Sequence, residues 1–424
     1  MLMTVIVLAF SLVIGMPIAF VLGLSGVTEL FMADGFRYFT VIATKLFDGV
    51  NRVSLTCVPF FIMTGEIMNG GGVTQRLIGF MRDLVGHVRG GLAYVCVLVS
   101  MVLAAILGQA NAVATIMGAV MVPEMKKDGY PEAYTGALCT ASAILGPIIP
   151  PSTTFVLFAT LANVSIKSLF IAGIVPGILL GGGYAIKITL DAKKRNFPKA
   201  EGAFDFKAVF KSFLNALPAL MIPVIILGGI MGGFFTPTES GAVAVFASLF
   251  AGFFYRSLKI KDLPNMFVKT AISTSAVFLI MAFGNIISWG MSIDGVPALI
   301  VSTIRGLTTN KHVIILIALV FMTIIGCFLD ATAALVIFTP VFYELLVGVG
   351  MDPVHYGLIF CVMIIIGLAT PPVGMTLFVT SNTTGIKLSD LCREIWPFVG
   401  VALFVTVALA YLPGVVMFLP NLIG

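Results

Sequence analysis

The segment Gly146-Pro-Ile-Ile-Pro-Pro-Ser-Thr-Thr154 sits in the middle of an apolar run. Pro147, Pro150 and Pro151 each remove an amide donor and crowd a preceding carbonyl, so a helix arriving here must unwind. Unwound backbone is tolerated at membrane depth only where it is buried in protein or lines a cavity. Its freed carbonyls are hard oxygen ligands suited to a small cation. Ser152, Thr153 and Thr154 are candidates to cap the helix that restarts, and the positive end of that helix can face an anion. The competing reading is a plain proline kink, satisfied by neighbouring helices. Gly367-Leu-Ala-Thr-Pro-Pro-Val-Gly374 is the same device further along the chain. Two interrupted helices at corresponding positions point to a binding site at the membrane midplane.

Two shorter interruptions accompany the breaks. Gly108-Gln-Ala-Asn111 is followed by Thr115, and Gly326-Cys-Phe-Leu-Asp330 by Thr332. Each reads as the tip of a re-entrant hairpin, where glycine makes the turn and polar side chains satisfy it. One reading is turn chemistry and nothing more. The functional alternative is that each tip meets the break of its own repeat and completes a cation site. One site then draws on Gly108, Ala110, Asn111, Gly146 and Pro150. The other draws on Gly326, Asp330, Thr332, Gly367, Thr370 and Val373. These segments carry almost no charge, so the ligands expected are mostly backbone carbonyls with a few hydroxyls or amides. Asp330 is the one carboxylate well inside a hairpin, a candidate ligand by default and equally a candidate cap for the returning helix. Glu66 and Glu239 read as span-end residues, and Ser381-Asn-Thr-Thr384 as capping chemistry. An anionic substrate is expected between tips and breaks, near Gln109, Asn111, Pro151, Ser152, Thr153 and Pro372. The hairpins and breaks offer no arginine for a bidentate clamp.

Holding such segments at depth takes many helices. Of 424 residues, 59% are hydrophobic and 10% charged, with a mean hydropathy of +1.12. A soluble domain needs far more charge. The fold class expected is an all-α polytopic membrane protein. Apolar spans are read at 4–14, 17–32, 53–69, 132–160, 167–186, 212–233, 237–255, 271–293, 354–381 and 393–417, with hairpins at 91–123 and 312–346. The polar stretch from about Lys187 to Lys211 reads as a loop. Met1–Ile14 lacks a basic leader and reads as no cleavable signal. Thr74–Val88, Lys261–Thr270 and Pro297–Thr309 are amphipathic and read as interfacial arms. With the loop after Lys187 placed inside, only Arg37, Lys45, Arg52, Lys167, Arg305 and Lys311 face outward, and the other 18 of the 24 basic residues face inward. That bias fits the positive-inside rule and puts both termini outside. The net charge of +5 therefore reports topology and implies no nucleic acid.

The halves match at an offset near 220 residues: Pro17 with Pro237, Gly108 with Gly326, Pro123 with Pro340, Tyr134 with Tyr356, Gly146 with Gly367, and Pro176 with Pro397. Each half makes five crossings and one hairpin. Five is odd, so the second half enters inverted, with two re-entrant hairpins and two broken helices, as secondary transporters are built. The division expected is 1–90, scaffold and arm; 91–160, transport domain; 161–211, scaffold span and loop; 212–311, scaffold and arm; 312–381, transport domain; and 382–424, scaffold span. Both cation sites lie within this transport domain, so moving it as one block, an elevator, keeps the ligands together. Five of the six cysteines (Cys57, Cys96, Cys139, Cys327, Cys361) lie in apolar runs, and no C-x-x-C pair occurs, so they read as small buried hydrophobes. No nucleotide-binding loop, zinc motif or nucleophile elbow occurs. No organic cofactor and no enzyme activity are expected.

The runs Ile148-Ile-Pro-Pro-Ser152, Ala172-Gly-Ile-Val-Pro-Gly177, Gly15-Met-Pro-Ile-Ala-Phe20, Asp352-Pro-Val-His-Tyr-Gly357 and Thr370-Pro-Pro-Val-Gly374 resemble the large membrane subunit of tripartite ATP-independent periplasmic (TRAP) transporters, over essentially the whole chain. The resemblance implies a bacterial inner-membrane Na⁺ symporter for organic acids of the sialic acid or C4-dicarboxylate class, within the elevator-type ion transporter superfamily. It also implies two partners, a small four-helix membrane subunit and a periplasmic substrate-binding protein. The alternatives are a carboxylate symporter that needs no binding protein, and an intramembrane enzyme.

Overall fold

The computed structural model describes residues 2–199 and 204–423, which are helical apart from loops and one isolated β-bridge between Arg89 and Lys199. The first half runs α1 (Leu2–Val13), α2 (Ile18–Asp34), α3 (Phe39–Val50), α4 (Cys57–Gly70) and α5 (Val73–Val85). A hairpin follows, α6 (Gly91–Leu107) and α7 (Ala110–Lys127), then a broken helix, α8 (Glu132–Ala143) and α9 (Thr153–Ala162), and then α10 (Ile166–Lys194). The second half runs α11 (Phe206–Met231), α12 (Pro237–Phe254), α13 (Leu263–Ile293) and α14 (Val296–Leu307). Its hairpin is α15 (Lys311–Phe328) and α16 (Ala331–Val347), its broken helix α17 (Pro353–Gly367) and α18 (Met375–Thr384), and α19 (Leu388–Tyr411) closes it. The order of elements repeats between the halves, apart from two short helices after α19, Pro413–Val416 and Phe418–Ile423, and one difference in the first half. Where the second half has the unbroken α13, the first has the pair α3 and α4, bent by 54°.

Among the described residues, six helices are long and apolar enough to cross a membrane, or seven if the bent pair counts as one span. The broken spans fall outside that number because unwinding splits each into two short helices. Outward faces carry large apolar side chains such as Phe246, Phe250 and Phe254 on α12, a pattern suited to lipid tails.

Three expectations are corrected. The polar stretch from Lys187 is not all loop, since α10 continues to Lys194. Lys187 pairs with Asp191 one turn on and lies 5.4 Å from the centre of the Phe398 ring, so its charge is accommodated in a helix. Lys261–Thr270 forms no separate arm. From Leu263 onward it is the first turns of α13. Its counterpart in the first half, α3, is the short helix that span counting passed over.

The arms α5 and α14 each bridge a hairpin helix and a helix outside the hairpins, though not by equivalent contacts: α5 packs on α6 and α11, α14 on α16 and α13. Helices α2, α3, α4, α11, α12 and α13 pack largely on one another. The sequence division groups 161–211 and 382–424 with that set. Yet α10 packs chiefly on α6, α9, α17 and α19, and α19 on α8, α10, α17 and α18.

The hairpins open at opposite ends of the molecule. At the base of the first, Gly90 N–H donates to Pro198 O at 3.0 Å, beside the C-terminal end of α10. There Arg195 makes a two-pronged pair with Glu394 near the start of α19, at 3.0 and 2.7 Å. The Glu394 carboxylate holds Arg195 above its ordinary range. At the base of the second hairpin, the Tyr411 hydroxyl donates to His312 O at 2.7 Å, at the far end of α19. That helix has 24 residues, about 36 Å at 1.5 Å each.

Candidate functional site

The first tip and the first break meet. Gly108 closes α6 in the left-handed region, at φ +61°, a conformation open to glycine at little cost. The Thr153 hydroxyl donates to Gly108 O at 3.1 Å. A β-carbon on Gly108 would lie 3.1 Å from Pro151 O, and one on Gly146 would lie 3.3 Å from Gln109 O. Gly108, Gln109, Gly146, Pro151 and Thr153 are thus brought together, and Ala110 opens α7 beside them. Ser152 holds the break from inside. Its hydroxyl donates to Pro147 O at 2.5 Å and accepts from Phe155 N–H at 3.2 Å. Of the candidate caps Ser152, Thr153 and Thr154, it is Ser152 that caps α9. Pro150, Pro151, Ser152 and Thr153 are all buried, and the Pro150–Pro151 bond is cis, as is Pro371–Pro372.

Ser152→Ala removes the cap and leaves a buried amide and a buried carbonyl short of one partner. The loss expected is about 1–3 kcal/mol of stability, read as a lower midpoint of thermal unfolding in detergent. An unchanged midpoint would show that the break does not depend on this hydroxyl.

The second tip meets its break by other means. Gly326 does not make the turn, as glycine was expected to; it lies inside α15, and the chain reverses through extended Leu329 and Asp330. The role of Gly326 is contact. A β-carbon there would lie 2.3 Å from Ile364 O and 3.0 Å from the Gly367 Cα, so the α15 and α17 backbones touch. Gly374 N–H donates to Cys327 O at 3.0 Å. Helix α18 starts after Gly374, which carries no side chain to cap it, rather than directly after Pro372. Asp330 caps α16, accepting from Thr332 N–H at 2.9 Å. The Thr370 hydroxyl is buried and donates to Ile366 O at 2.8 Å. Val373 and Thr332 are half-buried and Pro372 is exposed, unlike the buried diproline of the first break.

The two repeats also interlock. The hairpin helix α7 packs on α18, the half-helix beyond the other repeat's break, and α16 packs on α9. Between α18 and the first repeat runs a ladder of polar side chains. Thr376 donates to Asn111 Oδ1 at 3.0 Å, and Thr140 to the Thr380 hydroxyl at 2.8 Å. Asn111 therefore bridges the repeats instead of serving the first break alone. Sequence reasoning missed Thr140, Thr376 and Thr380. The signal was present in Thr376, Thr380 and Thr384, which recur every fourth residue on one face of a helix. Near the C-terminal end of that helix, Ser381 donates to Ile386 O at 2.7 Å and Thr384 donates one turn back to Thr380 O, while the cap position itself is Gly385. Glu239 sits in a capping box with Thr236, and Glu66 is half-buried near the end of α4.

A family model for the tripartite ATP-independent periplasmic transporter, DctM component, matches residues 5–415. The chain belongs to that family. Its DctM-family relatives include the 2,3-diketo-L-gulonate TRAP transporter large permease protein YiaN of Escherichia coli, 35% identical and covering 96% of each chain. The C4-dicarboxylate TRAP transporter large permease protein DctM of Pseudomonas aeruginosa is 36% identical over 95% of this chain and 94% of its own. These relatives are transporter permeases rather than enzymes. Two solved structures share the fold. The Alcanivorax borkumensis YdaH transporter matches at a TM-score of 0.62 and 17% identity, covering 90% of this chain and 89% of its own. Neisseria gonorrhoeae MtrF, described among antimetabolite efflux pumps, matches at 0.65 and 11%, covering 90% and 85%. The DctM-family chain is thus a multi-pass, all-helical membrane transporter component.

Proposed function

We propose that this chain carries out Na⁺-coupled uptake of a small organic acid across the bacterial inner membrane, with both termini periplasmic. A periplasmic binding protein hands over the acid, and a small four-helix membrane subunit completes the fixed body. The substrate class follows the carboxylates for which the relatives are named; sialic acid is a further candidate.

The observation that carries the mechanism is the double packing of the site. Each tip sits on its own break, and each hairpin's return helix sits on the other repeat's half-helix. Rocking one repeat against the other would break the Asn111–Thr376 and Thr140–Thr380 hydrogen bonds. Moving the block whole keeps them, so the reading is an elevator. Helices α10 and α19 travel with the block, because their contacts lie there; the division at 161 and 382 is redrawn accordingly. The arms α5 and α14 connect block and fixed body.

One Na⁺ binds where Gly108–Asn111 faces Gly146–Pro150, and a second where Gly326–Thr332 faces Gly367–Val373. Carbonyl oxygens supply most ligands, and the Asp330 carboxylate adds charge to the second site. The acid's carboxylate lies between tips and breaks, against Ser152, Thr153, Gln109 and the starts of α9 and α18. With no guanidinium there, binding to the membrane protein is weak and selectivity rests with the soluble protein.

Thr370 donates its proton to Ile366 O, which leaves its oxygen lone pairs free to face a cation. Thr370→Val removes them at nearly constant shape. The Na⁺ concentration for half-maximal uptake should rise about tenfold, the equivalent of 1.4 kcal/mol. Unchanged Na⁺ dependence removes Thr370 from the ligand set.

The function itself is tested by reconstitution in liposomes with the small subunit. Uptake should need an inward Na⁺ gradient and the binding protein. Uptake without the binding protein would favour a self-sufficient symporter, and uptake without Na⁺ would reject the coupling.

A further inference from the structure

A second polar site lies away from the breaks, at the end of the molecule assigned to the outside. The bend between α3 and α4, the α9–α10 junction and the start of α12 enclose a cleft of about 600 Å³. Its charged lining residues are Arg52, Lys167 and Asp48, and Asn51, Asn163 and Ser165 add neutral hydrogen-bonding groups. Arg52 reaches across from the fixed body and spends Nη1 on Thr160 O at 2.5 Å, satisfying a carbonyl that α9 leaves open at its C-terminal end. A guanidinium has five donors, so most of its capacity remains. Asp48 lies 3.9 Å from Lys45, which already offsets its charge.

Lys167 is the unusual member. It occupies the first turn of α10, a helix of 29 residues, where the macrodipole disfavours a cation. It forms no ion pair among the described residues. Ser165 caps the amide of Ser168, which leaves the amides of Ile166 and Lys167 without a capping side chain at the cleft. The neighbouring α12 has the opposite arrangement: its first turn carries Glu239, whose carboxylate accepts from Thr236 N–H at 2.8 Å. A lysine, two helix amides and a partly used arginine thus converge on one cleft, whose one lining carboxylate, Asp48, already lies beside Lys45.

We propose that this cleft binds a small carboxylate, as an outer waiting site for the acid before it reaches the tips and breaks. Lys167 and the α10 amides hold the carboxylate, and Arg52 lends a further donor. The cleft is half fixed body and half transport block, so it changes shape as the block moves. The source of the carboxylate rests on the transport reading; the binding chemistry does not.

The test uses crystals of the full chain soaked in 4-bromobenzoate, an unreactive carboxylate, and in its neutral isostere 4-bromobenzamide. The expected result is an anomalous bromine peak in the cleft with the benzoate and none with the amide. Lys167→Met, which keeps the aliphatic stem, should lose the peak. An empty cleft with the benzoate, equal peaks with both probes, or a peak that survives Lys167→Met would each overturn the proposal. Uptake by the wild-type system is measured alongside. If uptake succeeds and the cleft stays empty, only the cleft proposal falls; if uptake fails, the transport reading falls whatever the soak shows.

Discussion

Gly326→Ala should lower the thermal midpoint sharply and abolish Na⁺-dependent uptake, while Gly306→Ala should raise the midpoint slightly and leave uptake unchanged. Both glycines are helical, so alanine gains up to about 1 kcal/mol of helix propensity at each. At Gly306 nothing lies within 4 Å of the added carbon, and the gain stands unopposed. At Gly326 the carbon would sit 2.3 Å from Ile364 O and 3.0 Å from the Gly367 Cα. Both obstacles are backbone, and α17 is buried continuously from His355 to Gly367, so it has nowhere to retreat. Forced separation of packed elements costs about 1–3 kcal/mol or more, which outweighs the propensity term. Pushing α15 off α17 also draws Cys327 O away from Gly374 N–H, the bond that ties the second tip to its break. Function should therefore suffer more than stability alone accounts for. A Gly326→Ala protein with wild-type melting and uptake would show that the two backbones are not held this close.

The breaks were legible because prolines cluster there, Pro147 with Pro150 and Pro151, and Pro371 with Pro372, whereas single prolines such as Pro123 and Pro176 stay inside continuous helices. The repeat was legible because the same punctuation recurs at a fixed offset. The partners of those punctuation marks were harder to read. Gly326 was taken for a turn residue because glycine serves both turns and close packing, and only the position of Ile364 separates the two roles. Asp330 had two readings, ligand and cap; the hydrogen bond from Thr332 N–H shows that it caps α16, and a carboxylate that caps keeps further lone pairs for a cation. Asn111 was assigned to its own repeat, yet its side chain meets Thr376 of the other, a pairing fixed by how α7 and α18 cross. The α10 terminus was misjudged because polarity was read as loop, although Lys187 and Asp191 stand one helical turn apart. The outer cleft is invisible in one dimension: Arg52 and Thr160 are 108 positions apart.

The central claim is that hairpins and broken helices move as one body against a fixed one, and two engineered disulfides in a cysteine-free background test it. Gly65 of α4 and Leu107 at the first tip face each other across the boundary. A β-carbon on Gly65 would lie 2.9 Å from Leu107 Cδ2 and 3.5 Å from its Cα. Replacing both by cysteine removes the leucine that would clash and leaves separations compatible with a bridge. Gly118 of α7 and Thr384 of α18 are the pair within the block, where a β-carbon on Gly118 would lie 3.1 Å from Thr384 Cγ2. Na⁺-driven uptake is measured for each pair, oxidised and then reduced. The elevator account predicts that Gly65→Cys with Leu107→Cys stops transport when oxidised and regains it on reduction. Gly118→Cys with Thr384→Cys should transport in both states. The reverse pattern, with the inner bridge blocking and the boundary bridge tolerated, would contradict the account and place the motion between the repeats.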